Sequence, residues 1–496
     1  MRRTAIINRL PLLLVAIASV IGIGCAAALG PGYTIDKQEI EVHFIPAPDP
    51  TIHIDATYHL RNDGLRPLKT LELRLPGRRR FHFAAPLVEW DGRAVSLDVS
   101  PDNRRNSILK MPDPWMVSEK HTLKLSVEYK PAAPEEHNFS FAPDAFFLPS
   151  EGWSPQLMPA RGAFATGGVP PAKWTMTVRV PQGFLIHASG EKPKKSKSND
   201  EQVVRLTQRP KDGYPFVIAG RYVAAKFKAD PDTVTLWSRA PQDEETLRQS
   251  ATGLASAMKA YDTMFGKRVE NSKGLWLVEC PVVQSCFTTS ASYYAGYINE
   301  PGRKPTAEMA SLDTVMVDLS QGAPDVVAAA GPSLASTWLG YGQNPGFYEQ
   351  DPPLAALPAF AAVRGREAAG GPQIRTAAIR RALKAVPLDG QPGKPEPDNV
   401  IRAKSLLLFF ALQDRYGREA FRDALSHMLY ARRSGGFDVT DLISAFDQET
   451  HQNVGEFVRH WMKRPGVPQD FRARYESETS AGAFAHQINE AKEATP

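Results

Sequence analysis

Near Asp230 the spacing of apolar residues changes from a period of two to helical intervals, and no all-α or all-β fold accommodates both halves. Before that point Ile40, Val42 and Phe44 alternate with polar neighbours, as do Ile52, Ile54, Ala56, Tyr58 and Leu60, then Leu71, Leu73 and Leu75. Leu123, Leu125, Val127 and Tyr129 repeat the pattern, and so do Trp174, Met176, Val178 and Val180 ahead of Pro181-Gln182-Gly183. Residues two apart on a strand share a face, so each run buries one face and wets the other. Trp90-Asp91-Gly92-Arg93 carries the Asp-Gly pair of a tight hairpin turn. The lysine-rich run from Glu191 to Glu201 reads as a solvated hairpin tip. Gln38 to about Tyr222 is thus predicted to be one twisted sheet or sandwich.

The second half predicts helices with two strands among them. Asp243 to Phe265 has helical spacing, and Asp243-Glu244-Glu245 suits the positive end of a helix dipole. Leu275 to Val278 and Thr314 to Leu319 are apolar enough for buried strands. From Asp325 to Leu339 the residues Val326, Val327, Ala330, Leu334 and Trp338 recur at helical intervals, which predicts a buried helix. Pro332 lacks a backbone donor and crowds the preceding turn, so a break or kink is expected at Gly331-Pro332. Gln373 to Ala385 is predicted as an amphipathic helix with Arg375, Arg380, Arg381 and Lys384 on its outer face. A helix capped by Asp398 runs to Tyr416 and ends at Gly417, and others span Glu419 to Arg432, Thr440 to Thr450 and Val454 to Lys463. The fold class expected is α+β. It divides into a segment 1–30, a β-rich domain 31–230, a mostly helical domain 231–470 and a polar tail 471–496.

Arg2, Arg3 and Arg9 precede an uncharged run from Leu10 to Ile35, apolar through about Leu29, and this reads as an export signal. Three fates fit it. Cleavage near Ala26-Ala27-Ala28 releases the chain, retention leaves a membrane anchor of near-spanning length, and lipidation at Cys25 follows from the lipobox-like Ile23-Gly24-Cys25. Each places the protein in the periplasm or on the outer face of a membrane. Cys280 and Cys286 either bridge locally in that oxidising compartment or are two small core residues. The formal net charge is +5, and three of the positive charges sit in the N-terminal segment, so nothing points to nucleic acid.

Several local motifs resemble one family. Trp174 to Glu191 and Phe216 to Phe227 look like strands that close a β-saddle domain, and Tyr261 to Pro281 looks like the entry to a thermolysin-type domain. Ile401 to Pro468, ending in Phe457-Val458-Arg459-His460-Trp461-Met462, is similar to the helices that finish that domain. Over residues 38–470 the chain resembles the aminopeptidase N-like gluzincins, zinc metallopeptidases with a β-saddle domain ahead of a thermolysin-like one. The resemblance leaves out the large closing helical domain of full aminopeptidases.

That family holds zinc through His-Glu-x-x-His on a helix, because residues four apart face one way, and through a Glu nineteen positions further on. Thr337-Trp338-Leu339-Gly340 matches the residues that follow the motif and sets the register. The resemblance then puts Pro332, Ser333 and Ser336 where His, Glu and His belong, and Ala355 where the third ligand belongs. Arg402, in Arg402-Ala403-Lys404-Ser405, stands in the place of the family's oxyanion-steadying tyrosine, and no Gly-x-Met-Glu-Asn strand occurs between Ser285 and Glu300. Independently of the family, no histidine lies between His187 and His427. His427, His451 and His460 carry no matching carboxylate pattern, and His43, His53, His59 and His82 are scattered through the β region. No Gly-x-Ser-x-Gly elbow surrounds Ser333 or Ser336. Tyr293, Tyr294, Tyr297, Trp338 and Tyr341 either line an old substrate cleft able to take a ligand or peptide, or pack as aromatic core. The expectation is a catalytically inactive envelope protein without metal or other cofactor, acting as a binding, scaffold or regulatory module on a protein or peptide partner. The alternative is a peptidase or other hydrolase with non-standard site residues.

Overall fold

The computed structural model describes residues 32–46, 49–75, 81–83, 86–99, 106–131, 140–149, 153–160, 169–189, 191–198, 200–208, 215–229, 232–266, 268, 274–281, 307–311, 313–317, 319, 326–339, 352–388, 396–431 and 438–476. They form two compact units divided between Arg221 and Tyr222.

The first unit is built on a nine-stranded sheet. Its main order is Glu191–Ser198, Glu201–Gln208, Trp174–Pro181, Thr34–Ile45, Thr51–Arg61, Lys120–Pro131, Leu87–Trp90 and Arg93–Ala94, with Phe81–Phe83 also pairing on Lys120–Pro131. Thr34–Ile45 pairs parallel with Trp174–Pro181 and antiparallel with Thr51–Arg61. One face of this sheet is apolar, as the alternation requires. Near one end of the strands Val42, Phe44, Ile52, Ile54 and Val178 pack with Phe146, Leu148 and Val217 of a second, four-stranded sheet. Near the other end Ala56, Tyr58, Leu60 and Leu123 pack with Leu71, Leu73 and Leu109 of a third sheet. The register slips between Ile35 and Lys37. That irregularity keeps Tyr33 and Ile35 on the buried face together with Ile40, Val42 and Phe44, although the two sets differ in parity. Asp91 and Gly92 both have positive φ, 49° and 78°, and turn the chain between Trp90 and Arg93 as the Asp-Gly signal predicts. The lysine-rich run is a full strand, Glu191–Ser198, and its turn falls where Ser198 faces Glu201.

The second unit opens with a five-stranded mixed sheet in the order Val223–Ala229, Asp232–Ser238, Leu275–Glu279, Thr314–Val317 and Ala307–Ser311. The strand Val223–Ala229 pairs along its length with Asp232–Ser238 and so belongs to this sheet. Ten helices accompany it among the described residues: α1 Glu244–Phe265, α2 Val326–Leu339, α3 Pro352–Ala355, α4 Leu357–Gly370, α5 Gln373–Ala385, α6 Asp398–Tyr416, α7 Arg418–Ala431, α8 Val439–Thr450, α9 Val454–Lys463 and α10 Gln469–Glu476. Asp243 caps α1, its carboxylate accepting from the Thr246 amide at 2.8 Å and the Thr246 hydroxyl at 2.7 Å. Those bonds hold its pKa below the ordinary carboxylate value. Asp398 is the first residue of α6 rather than its cap, which is Pro397 without a side-chain bond. Gly417, at φ 85°, ends α6 with its amide donating to Gln413 O. A single apolar core joins the sheet to α1, α2, α4 and α6, with Phe360 packed against Phe409, Phe410 and Phe421.

Two expectations are corrected here. The break at Gly331-Pro332 is absent, because α2 runs without interruption from Val326 to Leu339. A proline inside a helix costs about 3 kcal/mol, and burial of a side chain such as Leu returns about 1.5–3 kcal/mol. Val327, Leu334, Trp338 and Leu339 are all buried, so packing outweighs the lost bond. Arg375 is not on an outer face. It is buried against α6, Nη2 donating to Asp414 Oδ1 at 2.5 Å, while Arg380 Nε donates to Tyr475 O at 2.6 Å.

Candidate functional site

Helix α2 carries the positions that the resemblance marks as a metal-binding turn, and it packs against α1 and α4. Ser333, Ser336 and Thr337 are buried, and Thr337 Oγ1 donates to Leu334 O at 2.8 Å. Pro332 lies within the continuous helix, and Ala355 ends the short helix α3, half-buried. Side chains at these positions offer hydroxyls and a methyl group, with no imidazole, thiolate or carboxylate among them. Zinc sites are built from those three groups, so the residues present do not fit a zinc ion. Among the described residues no cluster of three or more His, Cys, Asp or Glu side chains is placed to hold a metal.

Trp338 lies in the core of the second unit. Its indole Nε1 donates to Asp262 Oδ1 at 2.8 Å, its ring lies 5.2 Å from that of Tyr261, and the Arg268 guanidinium sits 5.5 Å from its centroid. Tyr261 is fully enclosed, and burial pushes its hydroxyl far above the ordinary tyrosine pKa. Its hydroxyl has no hydrogen-bond partner among the described residues. Helix α4 approaches it so closely at Gly365 that a Cβ there would stand 2.3 Å from the hydroxyl oxygen. Tyr293, Tyr294, Tyr297 and Tyr341 lie outside the described residues, as do Cys25 and Cys286. Cys280 follows the strand Leu275–Glu279, is buried and is disulfide-bonded.

Arg402 sits on α6, half-buried, with Nη2 3.7 Å from Asp398 Oδ2 one turn earlier. The residue that sequence reasoning passed over is Lys404. Its side chain is wholly buried, and Nζ donates to Glu396 Oε2 at 2.6 Å, Arg464 O at 2.7 Å and Met462 O at 3.1 Å. Glu396 Oε1 accepts from the Gly466 amide, and Trp461 Nε1 donates to Lys404 O at 3.0 Å. All three ammonium hydrogens are thus used, tying α6 to Glu396 just ahead of it, to Met462 in the last turn of α9 and to Arg464 beyond it. The only advance signal was a lysine just ahead of the apolar run Leu406 to Leu412 on a predicted helix.

His43, His53 and His59 lie on the polar face of the large sheet, whereas His187 lies on a strand of the second sheet. His43 and His53 face each other across neighbouring strands with ring centroids 6.4 Å apart. His43 Nε2 lies 2.7 Å from Glu201 Oε1, His53 Nδ1 lies 3.6 Å from Glu128 Oε2, and His59 Nε2 lies 3.2 Å from Glu39 Oε2. His53 and His59 thus meet carboxylates on neighbouring strands, His43 meets one two strands away across Trp174–Pro181, and His427 of α7 meets Glu449 of α8 at 3.4 Å.

With this geometry in hand, solved structures supply the comparison. An M1 zinc metallopeptidase of Deinococcus radiodurans matches with a TM-score of 0.54 and 16% identity, over 88% of this chain and 95% of that one. A point mutant of it gives a TM-score of 0.56 at 15% identity over 88% and 96%. The same mutant bound to a Tyr-Ser-Ala substrate gives 0.55 at 16% over 88% and 95%. The fold is that of the two-domain M1 peptidases. The likeness is one of architecture, a β-sheet domain followed by a largely helical region. No family model matches the sequence, and no curated protein does either.

Proposed function

We propose that this chain is a non-catalytic bearer of the M1 peptidase fold, exported to the cell envelope, where it serves as a binding, scaffold or regulatory module. One observation carries the reading. On a continuous, core-packed helix the positions of ligand and general base hold Pro332, Ser333 and Ser336, and the third-ligand position holds Ala355. Peptide hydrolysis of the metallopeptidase kind needs a metal-activated water and a base to take its proton. None of these four side chains supplies either. The absence of any histidine between His187 and His427 supports the same reading without reference to a family.

Export rests on Arg2, Arg3 and Arg9 ahead of the apolar run. No described helix is long and apolar enough to cross a membrane, and residues 1–31 lie outside the described set. The partner proposed is a protein or peptide of the envelope.

Elemental analysis of the purified mature protein tests the catalytic part. No stoichiometric zinc is expected, and a chelator should leave the melting temperature unchanged. One tightly held zinc per chain, lost together with a peptidase activity, would overturn the proposal. Mass spectrometry of the mature N-terminus separates cleavage, anchoring and lipidation at Cys25.

A further inference from the structure

Away from the old metal turn, the second unit contains a cavity of 610 Å³ between α1, α4, α6 and α7. That volume is typical of small-molecule sites, which run from about 300 to 1,000 Å³. Its wall carries four cations, Lys259, Arg364, Arg418 and Arg422, against two carboxylates, Glu367 and Glu419. The Arg364 Nη1 is already taken by Glu367, and Arg422 pairs with Asp423 at 2.7 Å. Lys259 and Arg418 are left without an ion-pair partner among the described residues.

The electrostatics at the wall are strained in one direction. Arg364 is largely buried, and burial lowers its pKa despite Glu367; Arg375 and Arg418 nearby push it lower still. Its Nε has no acceptor among the described residues, so a donor on this wall is left for an incoming acceptor. Arg418 also begins α7, where the first amides of a helix point outward with partial positive charge. An anion entering here would relieve the repulsion among the guanidiniums and receive charge-assisted hydrogen bonds. Met264 and Phe421 add apolar wall for the carbon part of a ligand.

We infer that this cavity binds a small organic anion, its phosphate or carboxylate group held by Arg418, Lys259 and the guanidinium of Arg364. The site shares no residue with the turn at Pro332 to Ser336, so the inference stands apart from the proposed loss of catalysis.

Calorimetric titration of the full mature protein tests it, using inorganic phosphate in one arm and citrate in the other, with ionic strength held constant by sodium chloride. Saturable binding is expected in at least one arm, and which arm binds tells phosphate from carboxylate chemistry. Arg418 and Lys259 are exposed, so Arg418→Gln and Lys259→Ala should fold as the parent does by circular dichroism. Each should weaken binding about tenfold or more, as loss of a hydrogen bond to a charged group does. A control substitution in the first unit, Arg93→Ala, should leave it unchanged. Absence of saturable binding in both arms, or equal affinity in the Arg418 and Lys259 variants and the parent, would overturn the inference.

Discussion

Replacing Lys404 by methionine keeps most of the side chain's volume and removes only its charge and its three donors. Three acceptors then lose their partner: the Glu396 carboxylate and the carbonyls of Met462 and Arg464. Breaking a buried ion pair from one side costs about 3–5 kcal/mol, because the remaining groups stay desolvated. Glu396 is one-fifth exposed and keeps its bond from Gly466, so the lower end of that range applies, about 3 kcal/mol. For a unit of this size the melting temperature should fall by roughly 10 °C. The two units need not unfold together, so calorimetry should follow the transition of the second unit, with urea unfolding by tryptophan fluorescence beside it. The double variant Lys404→Met with Glu396→Gln should lose less than the sum of the single losses, since it leaves no unpaired carboxylate. A loss below about 1 kcal/mol in Lys404→Met would refute the reasoning, as surface substitutions commonly cost no more than that.

Three further outcomes can be checked with the same protein. Tyr261→Phe removes a buried hydroxyl that has no partner among the described residues, so stability should hold or rise by up to about 1 kcal/mol, whereas Gly365→Ala forces a Cβ against that ring and should cost about 1–3 kcal/mol; a clear loss in Tyr261→Phe by urea unfolding would show the hydroxyl to be bonded. The Glu39 carboxylate is held below its ordinary value of 4.5 by hydrogen bonds from Lys37 and then His59. Its contribution to stability is therefore present above pH 4.5 and is lost as pH falls through the lower folded value, so Glu39→Gln should lower stability slightly in the neutral region, leave the most acidic region nearly unchanged, and so flatten the acid limb between them. An acid limb identical to the parent's would rule that role out.

The elements most legible in the sequence were those whose signals are local. Period-two alternation placed the strands Thr51–Arg61 and Lys120–Pro131, Asp91-Gly92 placed a hairpin, and Gly417 placed the end of α6. Failures came where a long-range contact decides. Arg375 reads as a solvent-facing charge on a helical wheel, yet Asp414, thirty-nine residues away, draws it inward. The register slip at Ile35 and Lys37 is invisible to a parity rule, and so is the pairing of His43 with His53. At the turn that the resemblance marks as metal-binding, the lack of imidazole and carboxylate at Pro332, Ser333, Ser336 and Ala355 is a matter of residue type alone. The cationic cavity could not, since its wall is assembled from four separate helices.

Helix α2 holds together with no metal donors at that turn. Imidazoles and a carboxylate buried in a helix cluster are stable chiefly because a metal's charge compensates them, so a protein built around zinc depends on it locally. Here the same turn presents Ser333, Ser336 and Thr337, and the Thr337 hydroxyl is satisfied within α2 itself. What anchors the helix is apolar burial of Val327, Ala330, Leu334, Ala335, Trp338 and Leu339, together with one indole bond to Asp262. Each buried side chain of the size of Leu contributes about 1.5–3 kcal/mol, so a few of them exceed the cost of the proline in their midst. The helix therefore needs no metal to hold its place. A frame held by apolar packing alone can present a surface for binding without a metal, and this is the physical content of the function proposed for the chain.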